Sequence, residues 1–218
     1  MAKDLADYRK SYDKNELVET QLPNNPFELF EQWFNEVEAE GGVEEANAMT
    51  VASIGADGYP KARIVLLKHF DQDGFVFYTN YTSEKGKAIL QNNKVCLSFF
   101  WPNLERQVII RGEAAKVSEE QSTTYFHSRP RGSQLGAWAS DQSSVIPSRE
   151  VLEKELKALE DKYKEQPIPK PDFWGGIRIA PVTFEFWQGR PNRLHDRILF
   201  VPEKDQEKLH WKTKRLAP

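Results

Sequence analysis

The sequence predicts a mainly β protein of the α+β class, an antiparallel barrel, closed or split, with helices at its periphery. Three observations carry this. From Ala48 onward apolar and polar residues alternate with period two, in strand-length runs broken by turns at 56–60 (ADGYP) and 71–74 (DQDG). Only one short crossover helix fits between these runs, so the strands adjoin through tight turns and not through the long connections of a parallel sheet. No GxGxxG follows a strand, which argues against a doubly wound dinucleotide fold.

Taken in order, residues 1–22 are polar and hold too few apolar groups to fold alone. They predict a mobile segment ahead of a single domain over 23–218. Asn25 and Pro26 read as the cap and first residue of a helix whose Phe30, Trp33, Phe34 and Val37 share one face, and Gly41 and Gly42 end it. Runs 48–55 and 61–70 form a hairpin, 75–80 a third strand, and 82–90 a short capped helix. Runs 95–101 and 106–118 pair about Pro102 and Asn103. Residues 118–139 are helical with a break at 129–132, and 147–166 is an amphipathic helix with Leu152, Leu156, Leu159 and Tyr163 on one side. After an extended link at 167–171, the last strands flank a turn at Gly189, Pro191 and Asn192.

Alternation along that final strand puts Arg193, His195 and Arg197 on one face. Two arginines beside a histidine repel one another unless something anionic or electron-rich lies against them. Trp187 and Gln188 lead into the same corner. The plain alternative is a charged edge strand that resists aggregation.

Two further groups suit phosphates. Arg63, Thr79, Ser83 and Lys85 surround the start of the short helix, whose free N–H groups favour an anion. By themselves these residues favour a simple helix cap beside surface lysines. Tyr125 and Arg129 stand one helical turn apart, and Lys68 stands five residues from Arg63. On a regular strand that odd spacing puts Arg63 and Lys68 on opposite faces.

Composition bounds the function class. At 218 residues, 39% of them hydrophobic, the chain can bury a sizeable core, and a net charge of −3 argues against a general nucleic-acid binder. No apolar run approaches a membrane span, and the charged start MAKDLADYRK lacks a signal core. A single cysteine, Cys96, is expected buried and free, as suits a reducing cytoplasm. His69, His127 and His210 show no metal-ligand spacing with one another or with Cys96, so no metal is expected. No GxSxG nucleophile motif is present.

Several ordered blocks give a more specific reading: RIVLLK (63–68), FYTN (77–80), LERQV (104–108), YFHSRPRGSQLGAW (125–138), QSS (142–144), FWGG (173–176) and WQGRPNRLHDR (187–197). From about Arg9 to the terminal RLAP, the chain resembles the pyridoxine/pyridoxamine 5'-phosphate oxidase family. The resemblance implies an FMN-binding split barrel, a homodimer in which two chains share each flavin site, and oxidation of pyridoxine 5'-phosphate and pyridoxamine 5'-phosphate by O2. Hydride passes from the 4' carbon to the flavin, and pyridoxal 5'-phosphate and hydrogen peroxide result, with ammonia from the amine. It assigns Arg63, Ile64, Val65, Leu66, Leu67, Lys68, Tyr78, Thr79, Ser83 and Lys85 to FMN, with Gln107, Gln142, Ser143, Trp187 and Arg197 around the flavin ring. Lys68, Tyr125, Arg129 and Ser133 take the substrate phosphate. Arg193 and His195 lie over the substrate ring, and Arg9 and Tyr12 approach it as a lid. One position departs from the family: Glu84 stands where arginine is usual. A carboxylate there repels a phosphate, so Glu84 is expected to point away. Two alternatives stay open, a different split-barrel flavoenzyme such as a flavin reductase and a non-enzymatic carrier. The first should lack the Arg193/His195 and Arg129 segments; the second has no use for flavin-ring residues.

Overall fold

The computed structural model describes residues 3–205 and 208–218. Met1 and Ala2 of the predicted mobile segment lie outside the described residues. In chain order the elements are α1 (Pro26–Glu40), β1 (Ala48–Ile54), β2 (Pro60–Leu66), β3 (His69–Asp71), β4 (Gly74–Asn80), α2 (Glu84–Gln91), β5 (Lys94–Trp101) and β6 (Arg106–Lys116). There follow α3 (Glu119–Ser128), α4 (Arg131–Ala139), α5 (Arg149–Lys162), β7 (Trp174–Gln188), β8 (Asp196–Asp205) and β9 (Lys208–Arg215). The chain forms two compact units. The first holds Met1–Met49, Leu97–Arg111 and Val182–Pro218; the second holds Thr50–Cys96 and Gly112–Pro181.

In the first unit, Asn25 starts α1 by accepting the Phe27 N–H at 3.0 Å, Pro26 supplies a preset φ at the first position, and Gly41 at φ 70 stops the helix. The apolar stripe of α1 meets aromatic rings edge-on: Phe27 on Phe184, Phe30 on Phe99 and Trp33 on Phe186, at centroid distances of 5.1, 5.1 and 5.2 Å. Phe30 and Val37 are fully buried. Burying each such side chain stabilises the fold by roughly 1.5–3 kcal/mol. The second half of β7 pairs antiparallel with β8, Phe184 opposite Phe200 and Trp187 opposite Arg197, and β8 pairs with β9.

The strand order runs β2-β1-β5-β6-β7-β4-β3, and of these β2, β3 and β4 lie wholly in the second unit. Phe75, Val76 and Phe77 of β4 are all fully buried, so this strand is covered on both faces. Its partner is the first half of β7, with Tyr78 opposite Gly176. Gly86 lets α2 lie against the end of β4: a Cβ there would stand 2.5 Å from the carbonyl oxygens of Asn80 and Tyr81. Phe126, Leu135, Tyr163, Ile168 and Trp174 form the core beneath α3, α4 and α5. Among the described residues no helix is long and apolar enough to cross a membrane.

Three expectations need correction. The run 61–70 is not one strand. β2 stops at Leu66 and β3 starts at His69, with the Lys68 N–H donating to the Val76 carbonyl between them at 2.9 Å. Nor does the last strand begin at Arg193. Pro191 opens a short 3-10 turn over Pro191–Arg193, in which Asn192 and Arg193 take φ 59 and 63, and β8 begins only at Asp196. Arg193, His195 and Arg197 therefore do not share a strand face. Cys96, expected buried, is only partly buried, because it falls on the less covered side of β5.

Candidate active site

A cavity of about 800 Å³ opens in the second unit. Four successive residues of β2, Arg63, Ile64, Val65 and Leu66, line it. Side chains on a strand alternate, so an unbroken run means that β2, last in its strand order, offers its edge and backbone to the cavity. Lys68, past the end of β2, lines the same cavity as Arg63, so the opposite faces expected from their odd spacing do not separate them. Tyr78, Thr79, Lys85, Tyr125, Arg129, Ser133, Gln142 and Ser143 complete the predicted set on its wall. Leu67 instead is buried in the core. Ser83 is buried as the cap of α2, its Oγ accepting the Gly86 N–H at 3.2 Å and donating to the Asn80 carbonyl at 2.7 Å.

Charge in this cavity is one-sided. Arg63, Lys68, Lys85 and Arg129 line it, and no carboxylate does among the described residues. Burial and the neighbouring Arg63 bring the Lys85 pKa down to about 8, as expected of an ammonium short of counter-charge. Its Nζ donates to Gln142 Oε1 at 2.9 Å, while Ser143 Oγ accepts the Glu84 N–H at 3.2 Å, which holds the 142–143 corner on the start of α2. Glu84 does not line the cavity. Its carboxylate lies 3.3 Å from Lys61, which also pairs with Asp57 at 2.8 Å, and 3.8 Å from Arg63.

The opposite wall is aromatic. Tyr78 and Tyr125 stack at 3.8 Å and 17°, and Tyr78 and Trp174 at 5.6 Å and 14°. The Arg129 guanidinium lies 4.6 Å over Trp174. Burial pushes the Arg129 pKa down and the Tyr125 pKa up. Two buried polar atoms, Thr79 Oγ1 and Arg129 Nη1, have no hydrogen-bond partner among the described residues. Orphaned donors beside a cluster of cations are the arrangement a phosphorylated ligand satisfies. A cofactor carrying a phosphate and a flat ring fits this donor set.

The remaining predicted residues lie in the first unit. Trp187 and His195 are in ring contact at 4.7 Å, and Tyr12 stands 5.8 Å edge-on to Trp187 and 5.9 Å from His195. His195 Nδ1 accepts the Arg190 N–H at 3.1 Å, so the neutral ring carries its proton on Nε2. Burial, then Arg193, lowers its pKa, which favours that neutral form. Arg193 is exposed on its left-handed turn. Such a conformation costs about 1–2 kcal/mol for a residue with a Cβ. Arg197 is committed to Glu185, at 2.8 Å, and to the Ala217 carbonyl at 2.9 Å. Gln107 is half-buried on β6, and Arg9 is exposed with its Nε on the Ala6 carbonyl.

Sequence reasoning missed Trp174, Asn80 and Pro130, all on the cavity wall. Trp174 lay inside the recognised FWGG block, but its type alone reads as core.

The chain matches known proteins over its whole length. Residues 36–163 match the family described as "Pyridoxamine 5'-phosphate oxidase", and 174–218 match "Pyridoxine 5'-phosphate oxidase C-terminal dimerisation region". A protein of Christiangramia forsetii named pyridoxine/pyridoxamine 5'-phosphate oxidase is 60% identical over 218 residues, 100% of both chains. One of Flavobacterium psychrophilum with the same name is 58% identical, over 99% of this chain and 100% of that one. The crystal structure of PhzG from Burkholderia lata, in complex with tetrahydrophenazine-1-carboxylic acid, superposes with a TM-score of 0.83 at 26% identity, covering 93% of this chain and 98% of that one. The fold is thus the split barrel that the strand pattern and the motifs predicted. Together these matches establish that the chain belongs to the pyridoxamine 5'-phosphate oxidase family.

Proposed function

We propose that this protein is an FMN-dependent oxidase that converts pyridoxine 5'-phosphate and pyridoxamine 5'-phosphate to pyridoxal 5'-phosphate. O2 is reduced to hydrogen peroxide, the amine also yields ammonia, and the working form is a homodimer of cytoplasmic location. One observation carries the reading: a cavity with four cations, no carboxylate and two orphaned polar atoms, beside stacked aromatic rings. That set suits two phosphates, one on a cofactor and one on a substrate. The named relatives and the match to a dimerisation region support it.

Arg63, Lys85 and Thr79 would hold the FMN phosphate, with Ser83 fixing the helix start behind them and the 64–67 backbone alongside. Gln107, Gln142, Ser143, Trp187 and Arg197 would border the flavin ring. Bound FMN supplies two-electron oxidation with return of the electrons to O2. Lys68, Tyr125, Arg129 and Ser133 would take the substrate phosphate. His195 offers an Nε2–H donor to the hydroxyl oxygen of the substrate ring, and Arg193 offers a planar guanidinium to its face. The chain's own contribution is to orient two rings and to compensate charge. Purified protein mixed with FMN and pyridoxine 5'-phosphate in air should form peroxide and an aldehyde absorbance together; neither forming would refute the reading.

A further inference from the structure

Glu105 is a carboxylate with 1% of its surface exposed, on a residue held at φ 57. A buried acid in a left-handed conformation is costly on both counts and persists only where its surroundings impose it. Its partners lie almost wholly in the N-terminal segment. Oε2 accepts the backbone N–H groups of Asp13 at 3.0 Å and Lys14 at 3.2 Å, and Oε1 meets Lys10 Nζ at 3.2 Å. The Glu105 carbonyl accepts the Gly189 N–H at 2.8 Å, which ties the same residue to the end of β7.

A second, independent feature lies beside it. A Cβ on Gly189 would stand 2.8 Å from Tyr12 Cβ and Cγ and 3.1 Å from Glu105 Cβ. The φ of Gly189 is outside the left-handed region, so glycine is needed here for space and not for backbone freedom. The notch it leaves holds Tyr12 against Trp187 and His195. Arg190 adds a tether through the Asn15 carbonyl at 3.1 Å.

We infer that Glu105 is a positioning residue: its carboxylate latches residues 10–14 so that Tyr12, seated in the Gly189 notch, walls the Trp187/His195 pair. The consequence for turnover rests on the proposed role of His195 at the substrate ring. The latch itself does not. A wall that touches bound substrate before and during reaction acts on substrate binding, so its loss raises KM and largely spares kcat.

The test reads hydrogen exchange over residues 10–17 in the full chain without FMN or substrate, then steady-state turnover. Glu105→Ala should speed exchange at Asp13 and Lys14 on the order of tenfold or more, as loss of charge-assisted hydrogen bonds does. Glu105→Gln keeps an acceptor oxygen and should fall between. Should Glu105→Ala fail to fold, Gly189→Ala gives the second arm: the added methyl should expel Tyr12 and speed the same exchange. Tyr12→Gly in that background should restore protection while KM stays raised about tenfold. Wild-type exchange in Glu105→Ala, or in Gly189→Ala where the former does not fold, overturns the latch. Faster exchange with unchanged KM in an active enzyme overturns the positioning role. Faster exchange with no turnover in any form, wild type included, leaves the latch standing and refutes the oxidase reading alone.

Discussion

The Arg129 guanidinium lies 4.6 Å over the ring of Trp174, and its Nη1 has no hydrogen-bond partner among the described residues. A cation is thus pinned by its face while one buried nitrogen is left without a partner among the described residues. Arg129→Ala should raise KM for pyridoxine 5'-phosphate about 10- to 150-fold, the worth of a charge-assisted hydrogen bond of roughly 1.5–3 kcal/mol. The value of kcat should change little, because the phosphate is remote from the reacting carbon. Trp174→Leu should raise KM in the same direction by letting the guanidinium wander. A kcat loss at constant KM in steady-state assays would place Arg129 at the reacting centre instead.

Lys85 gives a pH signature. Its pKa is about 8 in the folded chain against 10.5 for the unperturbed group. Between those values the unfolded chain holds a proton that the folded chain has lost, so this group adds stability as pH rises from about 8 to 10.5. Lys85→Met should remove that increment, read as the difference between the two proteins in melting temperature against pH. A bound phosphate restores the charge, so FMN binding near pH 9 should take up a proton. Calorimetry in buffers of different ionisation enthalpy would detect it.

Glu84 competes for the cation that a phosphate needs, lying 3.8 Å from Arg63. Glu84→Gln should tighten FMN by at most about fivefold, within the range of an exposed ion pair, and the gain should shrink at high salt. Quenching of flavin fluorescence on titration measures it. Weaker binding in the variant would show that Glu84 helps to hold Arg63 in place for the cofactor.

Arg193→Lys should not be conservative. An ammonium can neither stack on a pyridine ring nor donate in a fixed fork, so kcat/KM should fall on the order of 10²-fold. His195→Asn should fall less. Bound FMN, counted by absorbance, should stay near wild type in both. Unchanged turnover in Arg193→Lys would return this turn to the role of a charged edge.

Much of the fold was legible because local signals agreed with packing. Asn25-Pro26 and Gly41 bracket α1 as the sequence implied, and the alternation over Ala48–Ile54 is strand β1. The cations that the structure gathers on one cavity were legible through the motifs that carry the family resemblance. What escaped was set by non-local geometry. No pattern marks Arg193 for φ 63, so period-two reading carried the strand through it. The break after Leu66 carries no glycine or proline, so the period-two reading ran through it, and the edge-on approach of β2 that puts Lys68 and Arg63 on one cavity has no local signal. Trp174 reads as core by type, and only stacking with Tyr78 and Arg129 reveals its place on the wall.

The most direct measurement compares pyridoxine 5'-phosphate with pyridoxine itself, in air, on protein reconstituted with FMN, following peroxide and aldehyde absorbance together. A cavity built from Arg129, Lys68, Arg63 and Lys85 for phosphates predicts stoichiometric peroxide and aldehyde from the phosphate ester. With pyridoxine, kcat/KM should be lower by at least the factor lost in Arg129→Ala. Equal turnover of the two alcohols, or no aldehyde from the phosphate ester, would contradict it.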